Sequence, residues 1–261
     1  MKENLLMSYE EYSKVKHEKP YFYIVKSKDQ YLYYFGAKHS NDPKHSQFVL
    51  LTEKLNEFLN QTKDKKRIVL VEQNIFFKKM DSLDESILKY GESGAGAYFA
   101  LNNGILIHCP DPAKEYVVGQ TIQNFTKEEI LCYYLSNVIK HWQKNKEKPN
   151  LAESLSEQNQ RYRKLLEWPE LDISPDYIIN LYEKILKKDI SLEDDSLFEQ
   201  ISTPVFINSR INEISRSQSD FRNKYILDQI EKYWNERYNI FIIYGASHAV
   251  MQEPAIRSLI S

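Results

Sequence analysis

Glycine is scarce in this chain. Only 7 occur among 261 residues, well under the usual share of about 7%, so each is expected to answer a local backbone need. Cysteine is scarcer: Cys109 and Cys132 are the two present. Their spacing fits no zinc motif, so both are expected to be buried small apolar residues in a reducing compartment. No run of about 18 apolar residues occurs, which excludes a membrane-spanning helix. The first residues, MKENLLMSYEEYSKVKHEK, hold no apolar stretch and no small-residue cleavage site. No secretory signal is expected, and the expected location is the cytoplasm. Net charge is also lacking, with 35 basic against 37 acidic side chains. That balance disfavours a dedicated nucleic-acid binder. The lysine-rich stretch at 140–148 reads as a solvated helix end.

What is present is a globular composition, 42% apolar with 19 Tyr and 12 Phe, which excludes intrinsic disorder. YFYIVK (21–26) and YLYYF (31–35), joined by a polar turn, read as a hairpin. IVLVE (68–72), ILIH (105–108) and IFIIY (240–244) are apolar runs of the kind found in strands covered on both faces. Residues 1–19 read as a short helix or an arm. Helices are expected over 48–60, 75–89, a segment opening at Gly91, 217–237 and 251–259. Another is expected from 126 to about 144, where Thr126 and Glu129 form a capping box. KNKEKPN (144–150) reads as a charged linker, and the chain is helical from 151 to about 200. Ser174-Pro175 marks a helix start. Strands alternating with helices predict a single α/β domain over 1–261: a mixed, mostly parallel central sheet flanked by helices, with a helical insertion or cap over about 126–200.

Two segments repeat one pattern. YLYYFGAKHS (31–40) and IFIIYGASHA (240–249) each run from five apolar or aromatic residues into Gly-Ala, one variable residue, His and a small residue. Glycine permits a sharp turn, and the histidine then sits just past a strand tip. Ligand crevices of open α/β sheets lie at the carboxyl ends of strands. Neighbouring tips would therefore bring His39 and His248 together. Two imidazoles plus a carboxylate suit a divalent transition metal. Glu72 ends an aliphatic run, which places its charge at a strand tip. There it is a third metal ligand or a general base on water. Glu92, between Gly91 and Ser93-Gly94, is expected at a helix N-terminus and shares those alternatives. Asp111, held between Pro110 and Pro112, is a weaker substrate-binding candidate. Arg222 is read near the first turn of a helix, where a cation needs a partner. It is expected to pair with Glu72 or Glu92, or to hold an oxyanion. His45 shares a loop with His39; His17, His108 and His141 have no comparable context.

Taken together, the two strand-terminal G-x-x-H turns, strand-end Glu72, the Gly91-Glu92 helix start and Arg222-Asn223 resemble the TraB/PrgY/Tiki superfamily, which is related to erythromycin-esterase-like and ChaN-like proteins. These short motifs span residues 31 to 250. The resemblance implies an α/β fold with its active site at the strand tips. It implies metal-dependent peptide cleavage for Tiki-like members, metal-free ester hydrolysis through histidine and glutamate for the esterase-like members, and haem binding for ChaN-like members. It also implies that Asn223 takes part in the site.

The expectation is a hydrolase acting on a peptide or amide bond. His39, His248 and Glu72 hold a divalent ion (Mn, Co or Zn), while Glu92 or Glu72 acts as base and Arg222 with Asn223 meets the substrate. A metal-free esterase-like hydrolase is the alternative within the enzymes. The same cleft could instead bind a peptide, small molecule or haem without turnover. A purely structural scaffold would leave the paired turns as coincidence. Neither nucleic acid nor membrane is expected as a partner, and a homo-oligomer is left open.

Overall fold

The computed structural model describes residues 2–73, 80–145, 147 and 149–260. The chain divides into two compact units. The first joins residues 1–111 to 223–261, and the second is 112–222. The expected helical stretch at 126–200 falls inside the second unit. The boundary cuts one long helix between Arg222 and Asn223.

The first unit carries the whole sheet. A 3-10 turn (Lys2–Leu5) and α1 (Tyr9–Tyr12) precede β1 (Tyr21–Ser27) and β2 (Gln30–Ala37). These two strands form the expected antiparallel hairpin, turning at Lys28 and Asp29, with Ser27 opposite Gln30. Then come α2 (Gln47–Gln61), β3 (Arg67–Val71), α3 (Leu83–Asn102) and β4 (Leu106–His108). After the second unit, α9 (Arg210–Asn235) leads into β5 (Asn239–Gly245) and α10 (Ala246–Ile260). The strand order is β1-β2-β5-β3-β4. Every pairing except the hairpin is parallel, so the sheet is mixed and mostly parallel.

Alternation along the strands explains why they read as unbroken apolar runs. Tyr33, Phe35, Val69, Val71, Phe241 and Ile243 pack with Phe48, Leu51, Leu55 and Phe58 of α2 on one face. Leu32, Tyr34, Ile68, Leu70, Ile240 and Ile242 pack with Ile226, Leu227 and Ile230 of α9 and with Ala255 and Ile256 of α10 on the other. With helices on both sides, the inner strands β2, β5 and β3 bury nearly all of both rows of side chains. The carboxyl ends of β2, β5 and β3 lie along one edge, because Ala37 pairs with Gly245 and Val71 with Ile243.

Several expected boundaries move. α10 begins at Ala246, directly after β5, not at Met251. α9 begins seven residues before Ser217, and Ser209 Oγ accepts from the Asn212 amide 3.3 Å away. The helix expected at 75–89 lies partly outside the described residues. Its described portion starts at Leu83, where Ser82 Oγ accepts from the Glu85 amide at 3.1 Å.

The second unit is helical: α4 (Lys114–Thr121), α5 (Lys127–Lys144), α6 (Leu151–Leu165), α7 (Pro175–Leu186), α8 (Asp195–Ser202) and the first part of α9. The capping box at the start of α5 is formed, with Glu129 N 3.2 Å from Thr126 Oγ1 and Thr126 N 2.9 Å from Glu129 Oε2. Ser174 precedes Pro175 at the start of α7, but its hydroxyl turns back to Asp172 instead of capping the helix. Ile130, Leu135, Ile139, Leu155, Tyr182 and Phe198 form its core. Cys132 is buried there, and burial pushes its thiol up. Cys109 departs from expectation. It is only partly buried, and its thiol lies 3.5 Å from the Glu72 carbonyl oxygen. Among the described residues, no helix is long and apolar enough to cross a membrane.

Candidate functional site

β2 and β5 are neighbours, yet the chain leaves them toward opposite faces of the sheet. From β2 it passes to α2 on one face, and from β5 to α10 on the other. A crevice opens at the carboxyl ends of adjacent strands whose connections diverge in this way. His39 lies just beyond β2 and His248 in the first turn of α10, on either side of that divergence. The two G-x-x-H turns are therefore not structurally equivalent. His39 follows a turn into coil, and its side chain is 67% exposed. His248 is on a helix, with its side chain 10% exposed.

Glu72, the first residue past β3, stands between the imidazoles. Its Oε2 is 3.9 Å from His39 Nε2, and its Oε1 is 4.0 Å from His248 Nε2. The Gly245 amide donates to Oε2 at 2.9 Å. Gly245 ends β5 directly before α10, whose N-terminal dipole favours an anion. Gly245 also makes room for the site. A β-carbon there would lie 2.9 Å from His39 Nε2 and 3.6 Å from Glu72 Oε2.

Glu92 reaches the same place from α3. Gly91 takes φ 57° and ψ −140°, which breaks α3 and begins a new helical segment at Glu92. The Glu92 carboxylate contacts His39 Nδ1, and it accepts from the Ser40 amide at 3.4 Å. Its side chain is only 8% exposed. Because an ionised carboxylate only accepts hydrogen bonds, Nδ1 of His39 is the donor. That leaves Nε2 on the side of Glu72.

Asn223 was expected to meet substrate. It is 2% exposed, and its Oδ1 lies 2.7 Å from His248 Nδ1. Asp111 accepts from the Tyr244 hydroxyl at 3.4 Å. The Tyr244 ring lies edge-on to His248, with centroids 5.8 Å apart. Arg222 closes the second unit. It stands well inside α9, not in the first turn, so the helix-terminus argument for it does not hold. His45 serves α2 locally, its Nδ1 accepting from the Gln47 amide at 3.3 Å.

Sequence reasoning passed over three contributors: the Gly245 amide on Glu72, the Tyr244 ring beside His248, and Gln252, whose amide donates to Asn223 Oδ1 at 2.8 Å. Gln252 follows His248 by four residues on α10. Once the helix start is known, that helical spacing puts it on the same face.

Two imidazoles and a carboxylate are donor types that suit a divalent ion, and each Nδ1 is held by an oxygen, as in the outer shell of metal sites. Metal bonds to such donors are about 2.0–2.2 Å, which sets two ligands of one ion roughly 3.0–3.5 Å apart; the imidazoles stand slightly farther than that from opposite oxygens of Glu72, at 3.9 and 4.0 Å. Among the described residues, no group of three or more His, Cys, Asp or Glu side chains is set to hold a metal ion. No protein-family model, curated protein or solved structure matches the chain.

Proposed function

We propose that the chain is a hydrolase acting on an ester or amide bond, with His39 as the general base. The observation that carries this is the pairing of His39 with Glu92. A buried carboxylate accepts the hydrogen bond from Nδ1, and Nε2 of the same exposed ring is directed to the Glu72 side. A base oriented by a carboxylate is the arrangement that acid–base hydrolysis requires. In the reaction, Nε2 removes a proton from water as the water oxygen bonds to the acyl carbon. Glu92 and Glu72 stabilise the imidazolium that forms. The same proton then passes to the leaving oxygen or nitrogen as its bond to the acyl carbon breaks. The resemblance of these motifs to the erythromycin-esterase-like and TraB/PrgY/Tiki proteins supports the same reaction class.

A second reading, metal-dependent peptide or amide hydrolysis, is favoured by one feature: both imidazoles have Nδ1 held by an oxygen and Nε2 toward one carboxylate. Here His39, His248 and Glu72 would hold Mn²⁺, Co²⁺ or Zn²⁺, which supplies a water of lowered pKa. No step above depends on it.

The test is turnover of chromogenic esters and aminoacyl anilides by the wild type and by His39→Ala, each with EDTA and with each metal. Turnover that survives EDTA and is lost in His39→Ala supports the general-base reading. Turnover lost in EDTA and restored by one metal supports the second. Ligand binding without product in any condition would overturn both in favour of a binding module.

A further inference from the structure

We infer that Tyr34 and Gln252 are positioning residues that fix which nitrogen of His248 carries the proton, so that Nε2 faces Glu72 as an acceptor. Its use in turnover rests on the hydrolase reading; the proton placement itself does not. The groups involved come from three elements of the first unit: Tyr34 from β2, Asn223 from α9, and Gln252 with His248 from α10. Tyr34 and Gln252 are fully buried, and Asn223 is nearly so. Buried polar groups must be satisfied by their neighbours, so the direction of each hydrogen bond constrains the next.

The order starts at Tyr34, whose hydroxyl donates to Gln252 Oε1 at 2.9 Å. That turns the Gln252 NH₂ toward Asn223, where it donates to Oδ1 at 2.8 Å. The same oxygen lies 2.7 Å from His248 Nδ1. An amide oxygen has two lone pairs and no proton, so it takes both donors, and Nδ1 of His248 must be one of them. Neutral His248 then carries its hydrogen on Nδ1. The partner of one ring nitrogen sets the state of the other, so Nε2 presents a lone pair toward Glu72 Oε1, 4.0 Å away. With the relay reversed, Asn223 would offer NH₂ to Nδ1, and Nε2 would carry the hydrogen.

Gln252→Glu makes the reversal testable. An ionised carboxylate at that position accepts only, so Asn223 turns its NH₂ toward both neighbours and Nδ1 becomes an acceptor. Tyr34→Phe removes the hydroxyl that orients Gln252 and leaves both amide orientations open. The full chain, labelled with ¹⁵N in its imidazoles, is examined by two-bond ¹H–¹⁵N spectroscopy, with His248 assigned from the resonance lost in His248→Gln. The wild type is expected to show the Nδ1–H form. Gln252→Glu, at alkaline pH, is expected to show the Nε2–H form, and Tyr34→Phe a mixture. If Gln252→Glu does not fold, the loss of a single oxygen in Tyr34→Phe carries the test. An Nε2–H wild type overturns the inference, as does an Nδ1–H form unchanged in every folded variant. The hydrolase reading fails separately. Absence of ester or amide turnover removes that reading and leaves a tautomer that shifts in the variants standing. Turnover with an unmoved tautomer removes the relay alone.

Discussion

Gly36 and Gly245 hold the same place in their two motifs for different reasons. A β-carbon on Gly36 would meet Ala249 Cβ at 2.7 Å, Ala246 Cα at 2.9 Å and the Tyr21 carbonyl oxygen at 2.9 Å. Two of these atoms are backbone and the third is a β-carbon fixed to it, so none can swing aside. Gly36→Ala should destabilise the fold by about 1–3 kcal/mol, the usual scale of overpacking. A β-carbon on Gly245 meets instead the imidazole of His39, an exposed ring able to rotate away. Gly245→Ala should leave stability nearly unchanged and lower kcat/KM by about 100-fold, as expected when a catalytic group is displaced by about 1 Å. Denaturant titration and initial rates on both variants check this pair. Equal stability loss in the two, or full activity in Gly245→Ala, would contradict the assignment. At this scale much of the site was legible. Histidines after matching strand-and-glycine segments, and a glutamate after an aliphatic run, are local patterns. The relay was not legible, since Tyr34 and Gln252 meet only because β2 and α10 pack together, 218 positions apart.

At the scale of elements, strands were readable and helix starts less so. A strand buried on both faces must be apolar at every position, which marks 68–71 and 240–244 plainly. Helix starts depend on capping, and the signals differ in strength. Thr126 with Glu129 is a reciprocal pair that names its own position. α10 begins at Ala246 with no cap signal before it, so the sequence predicts the helix only from Met251. α9 starts near Ser209 and Asn212, which carry no Glu or Gln at the third position, and the later Ser-Gln-Ser-Asp run drew the boundary inward. β4 carries an element-level prediction. His108 at its end is half-buried beside the Tyr233 ring, with centroids 5.8 Å apart. Burial first, and the charge of Lys232 second, hold its imidazole below the ordinary value. The unfolded chain therefore binds a proton that the folded chain resists. This contribution to stability is complete above the unfolded value of about 6.5 and is lost as pH falls below it. His108→Gln should flatten the decline in urea midpoint between about pH 7.5 and 5. An unchanged slope would show that His108 is not the group responsible.

At the scale of the molecule, the five strands among the described residues, in the order β1-β2-β5-β3-β4, set three carboxyl ends side by side. Chain connections on opposite faces then gather His39, Glu72, Glu92 and His248 from four separate stretches of sequence. The α/β class follows from the alternation of apolar runs with helical spacing. The two-unit division at residues 111/112 and 222/223 does not, because the second cut falls inside the continuous helix α9, where composition gives no sign of a boundary. Joint action of this cluster is the central claim, and a double-mutant cycle between His39 and Glu92 tests it most directly. The quantity measured is kcat/KM on the best ester or amide substrate for the wild type, His39→Ala, Glu92→Gln and the double variant. Groups that act as a unit give single losses nearly as large as the combined loss. The account predicts that result, with Glu92→Gln alone lowering kcat/KM by about 10²-fold or more. Losses that simply add, or a wild type whose turnover does not depend on either residue, would contradict it.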